Sequence, residues 1–216
     1  MKSLILKDLY NIGHNAKSML FMLLVFAFLV IPFGGPEAYM VMSGILCSMM
    51  IITTFSFDDN SKWTKYAMVM PVTKKDVVAG KFVVLLIFSA IGAVSGLVIG
   101  SIGGAITHKV NLSNISDILT LLLVSVVSFA IAEIFGSMSI PLLFRFGAEK
   151  ARMLSFVAFI VPTAICFGVY ELLTLLGISF TDDMVSILLY CSPLFAFVWN
   201  LVMYKISYTI FEKMEL

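Results

Sequence analysis

The chain has 216 residues, of which 61% are hydrophobic and 12% charged, and its mean hydropathy is +1.07. A soluble domain is about 45–50% apolar with roughly twice that share of charge, so water cannot be the solvent for most of this surface and lipid must be. The net charge of +1 by itself says nothing about nucleic acid; how the charges are placed matters far more, and no nucleic acid is expected as a partner.

Residues 1–17, MKSLILKDLYNIGHNAK, place Leu6, Leu9, Tyr10 and Gly13 on one helical stripe, with Lys2, Lys7, Asp8, Asn11 and Asn15 as polar positions. The segment is too short and too charged to span a bilayer, so it is expected to lie in the headgroup plane as an amphipathic helix. Lys2, Lys7 and Lys17 before an apolar run resemble the start of a signal peptide. The charged part is long, however, and no small-residue cleavage site closes the run, so a retained segment is expected.

Six apolar segments follow, near 18–33, 37–57, 82–106, 118–144, 153–176 and 184–204, each close to the ~20 residues a bilayer core requires. Pro32-Phe-Gly-Gly-Pro36 reads as a tight turn from the first into the second. The resulting division is an interfacial helix over 1–17 and a six-span all-α membrane domain over 18–216.

Orientation follows from the basic residues. With six spans, Lys2, Lys7, Lys17, Lys62, Lys65, Lys74, Lys75, Lys81, Arg145, Lys150, Arg152, Lys205 and Lys213 fall on one side and only Lys109 on the other. That bias puts both termini and residues 58–81 in the cytoplasm. The outer loops, 34–36, 107–117 and 177–183, are too short for an external domain. Asn111-Leu-Ser113 and Asn114-Ile-Ser116 match glycosylation acceptors, but Ser116 is better read as the cap of the fourth span.

The cytoplasmic loop 58–81, DDNSKWTKYAMVMPVTKKDVVAGK, is the polar exception in this chain. Asn60 or Ser61 can cap a short helix, with Asp58 and Asp59 near its positive end. Trp63, Tyr66, Ala67 and Met70 then recur at i, i+3, i+4 and i+7, one helical stripe, with Lys62 and Lys65 off it. Pro71 stops the helix, and Thr73-Lys74-Lys75-Asp76 restarts one as a capping box. A two-turn helix cannot sustain itself in water, so the stripe needs a surface. Lipid headgroups, the protein's own helix ends and a partner all qualify, and the residues alone do not choose among them.

The run FSFDDNSKWTKYAMVMPVTKKDVVAGKF resembles the loop between the second and third spans of ABC-2-type transporter permeases. There an acidic pair is followed by an aromatic-rich helix and a (L/M)P(V/I)(S/T)(R/K)xxIVxxK run. Met70-Pro71-Val72-Thr73-Lys74 and Val77-Val78-Ala79-Gly80-Lys81 fit that run, departing from it in Met70 and Lys74, where Leu and Arg are commoner. The six-span layout and the interfacial N-terminal helix extend the resemblance along the chain, which is similar to small bacterial members such as the permeases of phenol-soluble-modulin exporters.

The resemblance implies an exporter permease in a bacterial cytoplasmic membrane, paired with a second permease protomer and with two ATP-binding subunits. Asp58, Asp59, Lys62, Trp63, Tyr66, Met70, Pro71 and Lys74 would form the coupling interface with the ATPase, and residues 1–17 the elbow helix. The sequence holds no GxxxxGK[ST] run, so the implied ATP and Mg²⁺ belong to the partner subunit and no cofactor is expected on this chain.

Within the membrane, Gly92, Gly96, Gly100 and Gly104 recur every fourth residue, a small-xxx-small stripe suited to close helix packing or to a hinge. Glu133 lies mid-way along the fourth span with Ala130, Gly136 and Ser137 on its face. An acid at that depth costs about 2.5–3.5 kcal/mol on insertion scales, so it should face protein or a water-filled cavity. It could line a translocation path or gate, or make a structural hydrogen bond. Glu171, after Pro162 and Gly168, lies nearer the outer end, where residues 170–180 could form a re-entrant element.

Cys47, Cys166 and Cys191 are widely spaced in apolar surroundings and read as small hydrophobes. No metal site is expected. His14 and His108 lie on opposite sides of the membrane, and no Ser/His dyad or HExxH exists, which argues against an enzyme. Two other readings remain: an ion-coupled transporter or channel using Glu133 and Glu171, and a membrane immunity or scaffold protein.

Overall fold

The computed structural model describes residues 2–13, 15–67, 69, 72–111, 113–175 and 182–214. These form seven helices and, among the described residues, no strand: α1 (Lys2–Gly13), α2 (Ala16–Ser48), α3 (Met50–Asn60), α4 (Trp63–Ala67), α5 (Lys74–Ile106), α6 (Ile115–Leu175) and α7 (Asp182–Glu212). Four stretches among them are long and apolar enough to cross a membrane: Ala16–Asn60, Lys74–Ile106, Ile115–Ala151 and Ser186–Glu212. Their outer faces expose large apolar side chains such as Phe28, Phe33, Val94 and Leu119, a surface that is stable only against lipid or another apolar partner.

Two of these helices are interrupted by a single glycine. Gly35 in α2 has φ 85° and ψ 170°, and Gly147 in α6 has φ 75° and ψ 168°, a backbone state that is strained for any residue with a Cβ. At Gly35 the chain reverses. The Tyr39 hydroxyl donates to the Leu23 carbonyl at 3.2 Å, whereas sixteen residues of straight helix would separate them by roughly 24 Å. In α6 an unbroken helix of 61 residues would be about 90 Å long, twice the thickness of a bilayer with its headgroups.

Each glycine break is held by a charge of the right sign from another segment. Lys109 Nζ donates to the carbonyls of Ile31 (3.2 Å) and Pro32 (2.7 Å), at the C-terminal end of the helix before Gly35. Asp59 Oδ2 accepts from the Ala148 amide at 2.6 Å, at the N-terminal end of the helix after Gly147. A cation on orphan carbonyls and an anion on orphan amides are the favourable placements for the helix dipole. The single basic residue expected outside therefore has a structural use.

The core is built around α5. Gly92 lies against Gly44 and Cys47, Gly96 against Met40 and Ser43, Gly100 against Met40, and Gly104 against Pro36. As the number rises along α5 it falls along α2, so α5 runs antiparallel to the half of α2 after Gly35. Ser43 Oγ donates to the Gly92 carbonyl at 3.0 Å, and Ser128 Oγ to the Met40 carbonyl at 2.7 Å. Small residues bring these backbones close enough for hydroxyls to bridge them.

Three local expectations need correction. Ser61 is not an N-cap but closes the end of α3, donating to the Phe57 carbonyl at 2.8 Å, because the helix of the second apolar segment continues to Asn60. Asp58 and Asp59 therefore sit at the negative end of α3, the unfavourable end for an anion. Ser116 is not a cap either. The helix starts at Ile115, and Asp117 secures the preceding loop by accepting from the Asn111 amide at 3.0 Å. The capping box at Thr73–Asp76 does form as expected.

Candidate functional site

The misplaced charge at the end of α3 is compensated by a cluster that joins three helices. Asp58 is 5% exposed, and Lys81 and Asp8 are 3% exposed. Lys81 Nζ contacts Asp58 Oδ2 (2.6 Å), Asp8 Oδ2 (2.9 Å) and Thr54 Oγ1 (3.2 Å), so its three donors are all used. Lys7 Nζ donates to Asp58 Oδ1 and also contacts Asp8 Oδ1 at 3.1 Å. Two cations and two anions sum to zero, which is what lets Lys81, Asp8 and Asp58 be buried together beside a partly buried Lys7. The cluster ties α1 and α5 to the end of α3.

Trp63 of α4 closes this cluster. Lys7 Nζ stands 3.6 Å from the centroid of its ring, a cation–π contact strengthened by partial burial, and the indole packs against the core containing Leu4, Phe55 and Val77. Ala67 is fully buried, while Tyr66 is 64% exposed and Val69 is exposed. The stripe read from the sequence therefore splits: Trp63 and Ala67 face inward and Tyr66 faces outward. Met70 and Pro71 lie outside the described residues.

Asp58 is likewise turned inward by its two lysines, so in this conformation it builds the platform and does not itself present a surface. Lys74 donates to the carbonyls of Phe211 (3.4 Å), Glu212 (3.0 Å) and Met214 (3.4 Å), fastening the C-terminal end of α7 beside the start of α5. Asp59 and Lys62 stay at the surface and line a cleft of about 400 Å³ with Trp63, Arg145, Gly147 and Met214. Lys62 adopts a left-handed backbone, φ 53°, which lets α4 turn back against α3.

The N-terminal helix does not bury the expected stripe of Leu6, Leu9, Tyr10 and Gly13 against the protein. Leu4, Asp8 and Ile12 form its buried face, whereas Leu6 and Tyr10 remain exposed. Asp8, a polar position of the helix, is inside because Lys81 is there to receive it. Lys7, Asp8 and Lys81 carry the site, although none of them stands out in the sequence as a site residue. The available signal is that Lys7 and Asp8, and Asp58 and Lys81, place opposite charges in the polar segments that flank apolar runs.

Within the membrane, Glu133 is 3% exposed, and its Oε2 accepts from Asn200 Nδ2 of α7 at 2.6 Å. Asn200 is the partner that composition could have flagged, being an amide inside an apolar run. Ser89 Oγ approaches the carboxylate from α5 without forming a hydrogen bond. Glu133 Oε1 and Asn200 Oδ1 are buried without a partner, at a cost on the order of 1–3 kcal/mol for each unsatisfied group. Glu171 is exposed on the second half of α6 and is not brought to Glu133. Residues 176–181, which include the second part of the expected re-entrant element at 170–180, lie outside the described residues. No cluster of three metal-ligating side chains occurs among the described residues.

A lipid-facing chain that is helical among its described residues, and whose α1, α4 and α5 lock together at one end, has the make-up of a transporter's membrane subunit. The chain matches the family model described as ABC-2 family transporter protein over residues 3–212, and it belongs to that family. It is thus a multi-pass membrane protein of the permease type, the class that works with separate ATP-binding subunits. No curated protein matches it.

Proposed function

We propose that this chain is a six-span exporter permease with both termini and residues 58–81 in the cytoplasm, and that α4 receives the stroke of an ATPase subunit. The observation that carries the reading is the clamp on α4. Trp63 is fixed through Lys7 to Asp58, Asp8 and Lys81, while Tyr66 and Val69 are left outward. A five-residue helix cannot transmit force unless it is anchored. The anchor here includes the start of α5, whose glycine stripe packs against α2, so a push on Tyr66 moves α4, α1 and α5 as one body.

Six crossings are supported by the reversal at Gly35 and the equivalent break at Gly147, each of which converts one long helix into two of bilayer length. Lys7, Asp58, Lys74, Lys81 and the Arg145–Gly147 joint share one end of the molecule, and Pro36, Gly104 and Lys109 share the other, in keeping with that alternation. ATP and Mg²⁺ would be held by the partner subunits, and a second permease protomer would cover part of the exposed apolar surface. Glu133 would line the path taken by a hydrophobic or amphipathic substrate, a peptide among the possibilities, with Glu171 and its re-entrant surroundings toward the outer gate.

Affinity purification from native membranes in mild detergent tests the docking. A Walker-containing subunit is expected to co-purify, and Tyr66→Ala is expected to reduce its recovery at least tenfold while the permease stays monodisperse. Trp63→Ala is expected to reduce recovery and also to lower Tm. Recovery of the permease alone, or full recovery with Tyr66→Ala, defeats this assignment of α4.

A further inference from the structure

We propose that the cleft between α5 and α7 binds the protonated amine head of an amphipathic ligand at Glu133 and Asn200. The cleft has a volume of about 310 Å³ and is walled by Phe82, Leu86, Phe197, Leu201 and Tyr204. Leu86, Phe197 and Leu201 are all more than half exposed on the apolar flank, so the mouth opens sideways toward lipid. A volume at the small end of the range for ligand sites suits a polar head and a short apolar segment, with the tail left in the bilayer.

The floor of the cleft identifies the head. Asn200 Nδ2 already donates to Glu133 Oε2, and Glu133 Oε1, Asn200 Oδ1 and, beside the carboxylate, the Ser89 hydroxyl are buried without partners. The two of these atoms whose residues line the cleft are acceptor oxygens, one of them an acid's. Against them the site offers a single free hydroxyl donor, so acceptors remain in excess. No lysine or arginine of this chain pairs with Glu133 among the described residues. An ammonium or guanidinium supplies N–H donors for both oxygens and a positive charge for the carboxylate, and the rings of Phe82, Phe197 and Tyr204 suit a cation at their faces. A carboxylate or phosphate head would meet two acceptors and be rejected. A neutral alcohol would bring one donor and no charge.

Binding at this cleft stands by itself; that the bound amine is also cargo rests on the permease reading. The probe is 4-(trifluoromethyl)phenethylamine, protonated at neutral pH, followed by fluorine NMR in lipid nanodiscs containing the full chain. Empty nanodiscs remove the contribution of lipid partitioning, and the matching alcohol serves as neutral control. Saturable, protein-dependent binding of the amine is expected, weakened at least tenfold for the alcohol and for Glu133→Gln. Leu86→Phe, which narrows the cleft and leaves the acid in place, is expected to weaken amine binding as well. Equal binding of amine and alcohol, or binding indifferent to both substitutions, overturns the proposal. If an ATPase co-purifies but the amine shows no saturable binding, the ligand assignment fails and the permease reading stands. Saturable binding in a chain that recruits no ATPase leaves the site intact and removes the permease reading.

Discussion

Lys81 decides more at the residue scale than any aromatic of the loop. Its ammonium holds Asp8 and Asp58 together, and without it one net negative charge stays buried at the already negative end of α3. Removing one partner from such a cluster costs about 3–5 kcal/mol, so Lys81→Met is expected to lower Tm sharply. Lys81→Met combined with Asp58→Leu leaves Lys7 and Asp8, a neutral pair 3.1 Å apart, and should recover part of that loss. A thermal-denaturation series in detergent checks this, and a double variant no more stable than the single one defeats the charge-balance account. Little of this was legible in the sequence. Lys7, Asp8 and Lys81 look like ordinary interfacial charges until folding brings positions far apart in the chain within ion-pair distance.

Helix-level packing separates glycines that look alike in the sequence. A Cβ on Gly92 would lie 2.8 Å from Cys47 Cβ and 2.9 Å from Gly44 Cα, whereas one on Gly168 meets nothing within 4 Å. Backbone and Cβ atoms cannot step aside, so Gly92→Ala should destabilise the α2–α5 contact by about 1–3 kcal/mol. Gly168→Ala should be neutral or gain up to about 1 kcal/mol from helix propensity. Comparing the Tm of the two variants checks the distinction, and equal tolerance would mean that the α2–α5 contact is looser than described. The four-residue spacing pointed to this stripe because a helix repeats its face at that interval. Which helix it meets depends on the reversal at Gly35, which brings the second half of α2 alongside α5.

Across the whole molecule, the fold places the N-terminal helix, the 58–81 segment, the Gly147 joint and the end of α7 at one end. The turns near Gly35 and Lys109 lie at the other. If the basic end is cytoplasmic, a cysteine replacing Ser113 should react with an impermeant maleimide added outside intact cells. A cysteine replacing Lys75 should react only after permeabilisation. These are read in a background lacking Cys47, Cys166 and Cys191. Labelling of both from one side would break the six-span alternation.

Composition and local spacing alone establish that the chain lives in lipid and that residues 58–81 are a polar insertion with a capping box. These properties depend on residue type and local spacing, which the sequence states directly. The tertiary structure decides which of the polar residues face inward. Trp63 and Asp58 are drawn in because Lys7 and Lys81 arrive from other helices to neutralise and cover them, while Tyr66 stays exposed. Glu133 finds Asn200 only because α6 and α7 pack against each other. Burying a charge or an amide in an apolar interior requires a partner at hydrogen-bond distance, and that partner is supplied by the fold.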